Sequence, residues 1–371
     1  MIEGRIDNKR LEGLQALRAV AALMVVIFHA ASVWREKTGA ASFFGPWDMG
    51  WAGVDLFFVL SGFVMVWVTQ DRETRGGRAA LVFFWKRLTR ILPIWWVFCA
   101  LMGAYFLVAY GHPAPPPEEG ASGRFWLSMA LWPQEMLPVL TVGWTLTFEM
   151  GFYALFALLI LIPSRFRLPI LLLWGAVILW SWRVNGPPPL WPDSWSGILL
   201  SPMCLEFIFG AIVAQIILVS YPPRPIAFAL ICGGVTGIIS FMILGDASAS
   251  QTGGLAEYSR VWVFGLPATL IILGLAGLEV DESFKLPKIL TDLGDASYAL
   301  YLLHLLLLLT IVRSLDWVGD LSVTGVSFVI FVIGGTILCA IASLYVHRYL
   351  EQPLLRLFRF PLVKSGRELQ S

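Results

Sequence analysis

The sequence contains little charge and little cysteine. Charged side chains make up 14% of the 371 residues, and the net charge is only +1. A nucleic-acid-binding protein needs a basic face, so this balance excludes that class. The four cysteines lie inside apolar runs at unrelated spacings, which excludes a disulfide framework and a cysteine-based zinc site. We expect them to be small buried apolar side chains.

Apolar sequence, in contrast, is abundant. Apolar residues make up 58% of the chain, which is typical of a polytopic membrane protein rather than a soluble one. The sequence therefore predicts an all-α integral membrane protein with about ten transmembrane helices, because a span needs roughly 20 mostly apolar residues. The predicted spans fall near 13–34, 51–70, 88–110, 141–163, 168–184, 197–219, 226–245, 259–279, 295–315 and 323–350.

The basic residues between the spans predict their orientation. If the spans alternate in direction, the basic loops and both ends of the chain lie on one side, which the positive-inside rule makes the cytoplasm. The opposite loops, 111–120, 185–195 and 245–254, are rich in Pro, Gly and acidic residues and nearly free of Lys and Arg. The segment 124–138 is moderately apolar but too short to cross comfortably, so it predicts an interfacial or re-entrant helix on the outer face.

The chain divides into a cytoplasmic N-terminal segment (1–12), one transmembrane domain (13–353) and a short basic cytoplasmic tail (354–371) that suits an anionic membrane surface. Ile2-Glu3-Gly4-Arg5 spells a protease site common in expression vectors, so residues 1–8 carry no functional argument. The first apolar run also resembles a cleavable signal peptide. It is somewhat long for one and ends on a histidine, which favours a retained span.

Two ionisable side chains, Arg18 and His29, lie in the first apolar run. Such groups are costly inside a membrane, so they are expected to face a protein interior or a water-filled cavity. On one helix they would lie on nearly the same face, roughly 16 Å apart along the axis. The first span therefore predicts a central cavity with a fixed cation at one depth and a titratable imidazole at another.

Three titratable side chains are predicted in the outer half of the membrane: His29, Asp55 at the start of the second span, and Glu149 two turns into the fourth. Asp55 can equally be an acid that the dipole favours at a helix start, whereas Glu149 is too deep for a solvated surface residue. A lone histidine in an apolar helix is more often a packing residue. Beside a carboxylate such as Glu149, however, its tautomer is fixed and its basicity raised, which a general base requires.

An arginine cluster is predicted at the cytoplasmic ends of the first and third spans. Arg18, Arg87 and Arg90 lie within or beside apolar sequence, and guanidinium groups bind phosphate in a bidentate fashion. They predict a site for a phosphorylated donor. Basic residues in the loop before the third span, such as Arg72 and Arg75, are explained by membrane topology alone.

The last two predicted spans hold further polar residues. Tyr298, Tyr301 and His304 share one side of the ninth span at three-residue spacing, so His304 is a second candidate imidazole in mid-membrane. Asp295 before them is a helix-start signal. The tenth span is predicted to end at Pro353, with the preceding polar residues as an interfacial anchor.

Five of these motifs, in this order, resemble those of bacterial membrane acyltransferases of acyltransferase family 3, and of its exopolysaccharide O-acetyltransferases in particular. Each motif is weak alone, but five in order with the same topology are specific. The resemblance extends from about Leu14 to Pro353. The motifs are Arg18 with His29, Gly53–Phe63, Arg87-x-x-Arg90 leading to Pro93, Gly143-Trp144-Thr145-Leu146 through Glu149 to Tyr153, and Ser297-Tyr298 to His304.

The resemblance implies transfer of an acyl group, usually acetyl from acetyl-CoA, to a hydroxyl of a cell-surface glycan or a lipid-linked sugar, in the bacterial inner membrane. His29 matches the family's essential histidine, and Glu149 matches its acidic residue. Arg18 matches the arginine partner of that histidine, and Arg87 and Arg90 match its arginine pair. Acyl-CoA, a glycan and membrane lipids are the implied partners, no metal is expected, and the oligomeric state stays open.

The expected mechanism places CoA phosphates at the arginines and the thioester beside His29. His29, supported by Glu149, would remove the proton of a sugar hydroxyl, and an oxyanion needs a hydrogen-bond donor. A covalent acyl-histidine or acyl-serine intermediate stays open. The alternative function is a glycan or lipid transporter without chemistry, and a purely structural scaffold would leave Glu149 unexplained. Candidates for contacts to the substrate or the oxyanion are Asp55, Ser61, Tyr298 and His304.

Overall fold

The computed structural model describes residues 11–39, 45–70, 75–115, 120–186, 191–244, 257–281, 286–315 and 324–358. All regular elements in these ranges are helices, and none of the ranges contains a strand. The predictions for the N-terminal segment before residue 11, for the loop 245–254 and for most of the basic tail fall outside the described residues.

The helices are numbered in chain order. Two of the long ones, α10–α11 and α14–α15, are continuous through a π-helical turn, at Val261–Gly265 and His347–Glu351 respectively. A 3₁₀ helix, Pro46–Trp51, leads into α2. The α-helices are α1 Glu12–Thr38, α2 Ala52–Trp67, α3 Gly77–Tyr110, α4 Ala121–Met129, α5 Gly143–Ile160, α6 Ser164–Asn185, α7 Trp195–Leu200, α8 Cys204–Val219, α9 Arg224–Leu244, α10 Glu257–Arg260, α11 Leu266–Val280, α12 Lys288–Asp295, α13 Ser297–Leu315, α14 Gly325–Val346 and α15 Gln352–Leu357.

The all-α polytopic class predicted from the sequence is confirmed. Within the described residues, nine helices are long and apolar enough to cross a membrane, and the shorter apolar helix α8 adds a tenth segment. All ten coincide with predicted spans. The direction in which they cross, with both termini in the cytoplasm, stays a prediction.

The observed helix boundaries differ from the predicted spans where a proline breaks a helix or where a helix continues past its apolar segment. The third helix begins eleven residues before the predicted 88, at Gly77. The predicted sixth span, 197–219, is split into α7 and α8. Ser201 between them is extended (φ −66°, ψ 138°), because it precedes Pro202 and a following proline disfavours the helical conformation.

The predicted end of the last span at Pro353 is wrong. The helix passes through the π-helical turn His347–Glu351 and continues as α15 to Leu357. Pro353 lies in the first turn of α15, where a missing backbone N–H is best tolerated. Nδ1 of His347 donates to the carboxylate of Glu351 at 2.8 Å in this turn, so the polar residues there bond to one another.

Helix α1 carries Arg18 and His29, and its start is fixed by a buried acid from another helix. Leu11 at the N-cap supplies no side-chain hydrogen bond. Instead, the carboxylate of Glu279 on α11 accepts from the backbone N–H groups of Gly13 and Leu14. A carboxylate at this position satisfies unpaired N–H groups and the helix dipole together.

The segment after α4 turns back along α3. Trp95 donates its indole N–H to the carbonyl oxygen of Ser128 at 3.0 Å, and Trp96 donates to that of Met129 at the same distance. Arg124 donates to the carbonyl oxygen of Leu137. Of the predicted helix 124–138, only the part up to Met129 is helical. The two tryptophans tie α4 to α3, and Arg124 ties the irregular rest to α4.

Helices α2 and α8 pack closely at two glycines. A Cβ on Gly62 would overlap the carbonyl oxygen of Phe207, and one on Gly210 would overlap that of Val59. Small residues of this kind let helix backbones approach in membrane proteins. The contact fixes α2, which carries Asp55 and Ser61.

We expect Gly62→Ala to lower the free energy of unfolding by about 1–3 kcal/mol, because the added methyl group must push α2 and α8 apart. Thermal unfolding of the purified protein in detergent measures this. The matched control is Gly334→Ala on α14, where a Cβ meets nothing within 4 Å. Equal melting temperatures for the two variants would contradict the close packing of α2 on α8.

Candidate functional site

A polar cavity lies among α1, α2, α3, α5 and α13. Its wall is made of apolar side chains and of an unusual number of polar ones for the interior of an apolar bundle. These polar residues come from the five spans that carry the sequence motifs. They are Arg18, Ser61, Arg87, Arg90, Thr145, Glu149, Tyr153, Ser297, Tyr298 and Tyr301.

The three predicted arginines are brought together in this cavity. Arg18 projects from α1, and Arg87 and Arg90 lie one turn apart on α3. The Nε of Arg87 is buried and has no hydrogen-bond partner among the described residues. Its guanidinium instead lies 5.4 Å from the ring centroid of Phe83 and 5.9 Å from that of Tyr153. The cavity therefore holds unsatisfied N–H capacity suited to an anion.

Glu149 is held by two hydroxyl groups inside the cavity. Ser61 on α2 donates to it at 2.9 Å, and Tyr153, one turn along α5, donates at 2.7 Å. No hydrogen bond or ion pair between Glu149 and His29 occurs in the described residues, so the predicted pair is not formed. The depth of Glu149 in the membrane stays a prediction, and its side chain faces Ser61 and the arginines of the cavity.

His29 instead pairs with His304, the second predicted imidazole. Nδ1 of His29 lies 3.2 Å from Nε2 of His304 and 3.0 Å from the carbonyl oxygen of Val25. The ring centroids are 5.0 Å apart. His304 is fully buried, and its own Nδ1 lies 3.1 Å from the carbonyl oxygen of Leu300.

These bonds assign the tautomers of the histidine pair. A carbonyl oxygen only accepts, so Nδ1 of His304 carries a proton and donates to Leu300, which leaves Nε2 as an acceptor. Nδ1 of His29 therefore also carries a proton, shared between Val25 and His304. In a neutral imidazole only one nitrogen is protonated, so Nε2 of His29 presents a lone pair. This is the form that a general base needs.

Tyr301 connects the cavity to the histidine pair. Its hydroxyl lies 2.8 Å from that of Thr145 and donates to the carbonyl oxygen of Val142 at 3.2 Å. Its ring centroid is 6.0 Å from that of His304. Tyr301 lines the cavity, whereas His29 and His304 are not among the lining residues. The histidine pair therefore lies beside the cavity, next to Tyr301.

Tyr298 and Ser297 lie at the start of α13. Tyr298, a predicted candidate, lines the cavity and donates its hydroxyl to the carbonyl oxygen of Ile91 on α3 at 2.9 Å. Ser297 was missed as a site residue. It is fully buried in the cavity wall, and its hydroxyl has no hydrogen-bond partner among the described residues. Its position beside Tyr298 in the motif was the only sequence signal.

Asp55 has a structural partner and does not line the cavity. Arg260 donates to both of its carboxylate oxygens at 2.8 Å, and both side chains are almost fully buried. The guanidinium of Arg260 also lies 4.3 Å from the ring centroid of Trp51. Asp55 thus ties α2 to α10, and its contact with substrate stays a prediction. Arg260 was missed, although an arginine at the start of an apolar run, in sequence poor in Lys and Arg, was the signal for it.

Among the residues that the structure describes, no group of three or more His, Cys, Asp or Glu side chains could hold a metal ion. The buried ionisable groups instead form two sets. One lines the cavity and consists of three arginines around a hydroxyl-bound carboxylate, and the other is the pair of imidazoles beside it. A bundle of apolar helices with this interior defines a polytopic membrane protein with ionisable groups buried between its helices.

Comparison with known families identifies the class further. The acyltransferase domain of acyltransferase family 3 matches residues 11–345, and the chain therefore belongs to that family. It is an acyltransferase of the membrane-embedded type. No solved structure shows significant similarity to the chain.

Three relatives illustrate the range of the family. The chain is 30% identical to the exopolysaccharide production protein ExoZ of Rhizobium meliloti, over 92% of this chain and 98% of that protein. It is 25% identical to the acyltransferase MdmB of Streptomyces mycarofaciens, over 78% and 77% of the two chains. It is also 25% identical to the O-acetyltransferase OatA of Staphylococcus aureus, over 43% of this chain and 26% of that protein.

Proposed function

We propose that this protein transfers an acetyl group from acetyl-CoA to a hydroxyl of a cell-surface or lipid-linked glycan in a bacterial inner membrane. The observation that carries the proposal is the arginine cavity. Three guanidinium groups surround a single carboxylate there, so the cavity holds more positive than negative charge. An anionic ligand such as a CoA phosphate compensates that charge.

The geometry of α1 supports a two-ended site. Arg18 and His29 lie on one continuous helix and are roughly 16 Å apart along it, so an extended donor can have its phosphates at the arginines and its thioester near the imidazole. Glu149, which accepts hydrogen bonds from Ser61 and Tyr153, balances part of the arginine charge and does not act as the base. The supporting partner of His29 is then His304 and not Glu149.

The chemical step is a direct transfer. Nε2 of His29 removes the proton of the acceptor hydroxyl while that oxygen attacks the thioester carbonyl carbon. The resulting oxyanion needs a hydrogen-bond donor. The hydroxyl of Ser297 is a candidate, because it has no partner among the described residues, and that of Tyr298 could serve only by leaving Ile91. The carbon–sulfur bond then breaks, and the proton on His29 passes to the departing thiolate. The products are the O-acetyl ester and free CoA.

The names of the relatives support the acceptor class. ExoZ is described by its role in exopolysaccharide production, and OatA is an O-acetyltransferase. A hydroxyl of a polysaccharide fits both descriptions. The transporter alternative predicts, in contrast, that acetyl-CoA is neither bound nor consumed.

Replacing Arg87 or Arg90 by Gln is expected to raise the KM for acetyl-CoA roughly 10- to 150-fold, because each loses a charge-assisted hydrogen bond worth about 1.5–3 kcal/mol. Turnover at saturating donor should change little. The measurement is CoA release by purified protein in liposomes with a mixture of polysaccharide hydrolysates as acceptor. Arg165→Gln is the control, because Arg165 is an exposed arginine outside the cavity.

Wild-type protein that neither binds acetyl-CoA nor releases CoA would overturn the proposed donor and favour the transporter. A KM raised equally by the Arg165 variant would remove the special role of the cavity arginines. Loss of turnover without any change in KM would assign these arginines to the chemical step instead of to donor binding.

A further inference from the structure

A cleft lined by tryptophan lies beside the start of α5, on the side of that helix away from the arginine cavity. The residues after α4 form one wall, and those around α7 form the other. We refer to it as the tryptophan cleft. The residues that matter here are Trp132, Pro133, Gln134, Trp144, Trp191 and Pro192.

An unusual backbone conformation presents Trp132 to this cleft. Leu131 has φ +50°, the one positive φ among the described residues other than glycine. A left-handed conformation is costly for a bulky residue and is kept where the surrounding structure requires it. The Leu131 side chain is buried with 1% exposure, whereas Trp132 next to it is 50% exposed. The turn thus buries one apolar side chain and leaves the other accessible.

The tryptophans of the cleft differ from those that would form an interfacial belt. A belt side chain faces lipid headgroups, as Trp126 and Trp180 can, each being 67% exposed. Each cleft ring instead contacts another indole. The Trp144 and Trp191 centroids are 5.2 Å apart at 69°, and Trp132 lies 5.5 Å from Trp195, outside the cleft lining, at 85°. Edge-to-face contacts of this kind hold ring faces in fixed positions.

One polar group in the cleft lacks a partner. The side-chain nitrogen of Gln134 donates to the hydroxyl of Ser128 at 3.2 Å, which fixes the orientation of the amide. Its carbonyl oxygen is buried and has no hydrogen-bond partner among the described residues. A buried acceptor without a donor is costly, and a ligand hydroxyl would satisfy it.

We propose that the tryptophan cleft binds a hexopyranose ring of the acceptor glycan, an inference that rests on the proposed function. The C–H groups on one face of a pyranose carry a slight positive charge and pack on the negative face of an indole ring. The hydroxyls at the ring edge donate hydrogen bonds, for which the Gln134 carbonyl is the acceptor.

The cleft is close to the groups assigned to the reaction. Trp144 precedes Thr145, whose hydroxyl contacts Tyr301, and Tyr301 packs near His304. Glu149 of the arginine cavity is about 7.5 Å further along the same helix. A sugar bound at Trp132 and Trp191 would thus be one unit of a longer acceptor whose reacting hydroxyl lies closer to the histidine pair.

The test is direct saccharide binding to the purified full chain, measured by isothermal titration and by tryptophan fluorescence. The probes are neutral gluco-, galacto- and manno-oligosaccharides of two to six units. We expect at least one to bind, and we expect Trp132→Ala and Trp191→Ala each to weaken that binding about 10-fold through loss of a stacking surface. Gln134→Leu should weaken it several-fold by removing the acceptor.

Trp126→Ala is the matched control, because Trp126 is exposed and does not line the cleft. Acetyl-CoA binding is measured for every variant and should match the wild type, and thermal unfolding is measured to show that every variant is folded. The inference is overturned if no oligosaccharide binds, or if the cleft variants weaken binding no more than Trp126→Ala. If the protein binds saccharides but does not bind acetyl-CoA, the saccharide site is supported and the proposed donor is overturned. The two failures are therefore distinguishable.

Discussion

Replacing His29 by alanine is expected to lower acetyl transfer by about 10²- to 10⁴-fold, the contribution of a positioned general base. The geometry gives the reason. The backbone of Val25 and the imidazole of His304 together hold the proton of His29 on Nδ1, so the lone pair of Nε2 is the one that reacts. Alanine removes it and leaves the arginine cavity unchanged.

The measurement is CoA release at saturating acetyl-CoA, with acetyl-CoA binding measured in parallel. Acetyl-CoA binding should persist in the His29 variant, because the residues proposed to bind the donor are Arg18, Arg87 and Arg90. A variant that transfers acetyl groups at the wild-type rate would refute the base assignment. A variant that loses donor binding as well would indicate a structural role for His29 instead.

His304 provides a finer control, because it acts through His29 and is a positioning residue. His304→Leu removes the acceptor for the Nδ1 proton and should slow transfer roughly 2- to 15-fold, the worth of one hydrogen bond. His304→Gln keeps a carbonyl acceptor of similar reach and should recover most of the rate. Equal loss in both variants would show that packing at this fully buried position, and not the hydrogen bond, limits the rate.

The parts of the site that the sequence predicted are those determined by one helix or by charge. Arg18 and His29 share a helix, so their separation followed from helical rise alone. The arginine cluster followed from the cost of leaving cations in apolar sequence. Both α1 and the shared cavity of Arg18, Arg87 and Arg90 are found in the structure.

The parts that could not be predicted depend on rotation between helices. Glu149 and His29 were placed at similar depth, but depth does not fix which neighbour a side chain faces. Glu149 faces Ser61, and the partner of His29 is His304, 275 positions away in sequence. Ridge-and-groove packing between helices decides such pairs, and a single sequence contains no direct record of it.

Backbone irregularities were missed for a related reason. Apolar pattern sets where a span can lie, whereas proline and capping set where the helix breaks. Ser201 before Pro202 could have been recognised as a break from sequence. The left-handed Leu131 could not, because leucine has no preference for that conformation and tertiary contacts impose it.

The buried pair of Asp55 and Arg260 is the second place where a large effect is expected. Asp55→Asn should lower the free energy of unfolding by about 3–5 kcal/mol, because it leaves the Arg260 cation buried without its carboxylate. The guanidinium keeps its contact with Trp51, but a neutral ring does not replace an ion pair with two hydrogen bonds at 2.8 Å. Since the pair ties α2 to α10, the loss should also loosen the α2 wall of the cavity at Ser61.

Thermal unfolding in detergent measures the effect, and a second ion pair of the same chain provides the control. Arg224 and Asp281 are exposed by 58% and 34%, so Asp281→Asn should cost no more than about 1 kcal/mol. Replacing both members of the buried pair, as Asp55→Leu with Arg260→Met, should recover much of the stability, because no unpaired charge is then left in the interior. If Asp55→Asn destabilises no more than Asp281→Asn, the pair is not desolvated, and Asp55 returns to being a candidate for substrate contact.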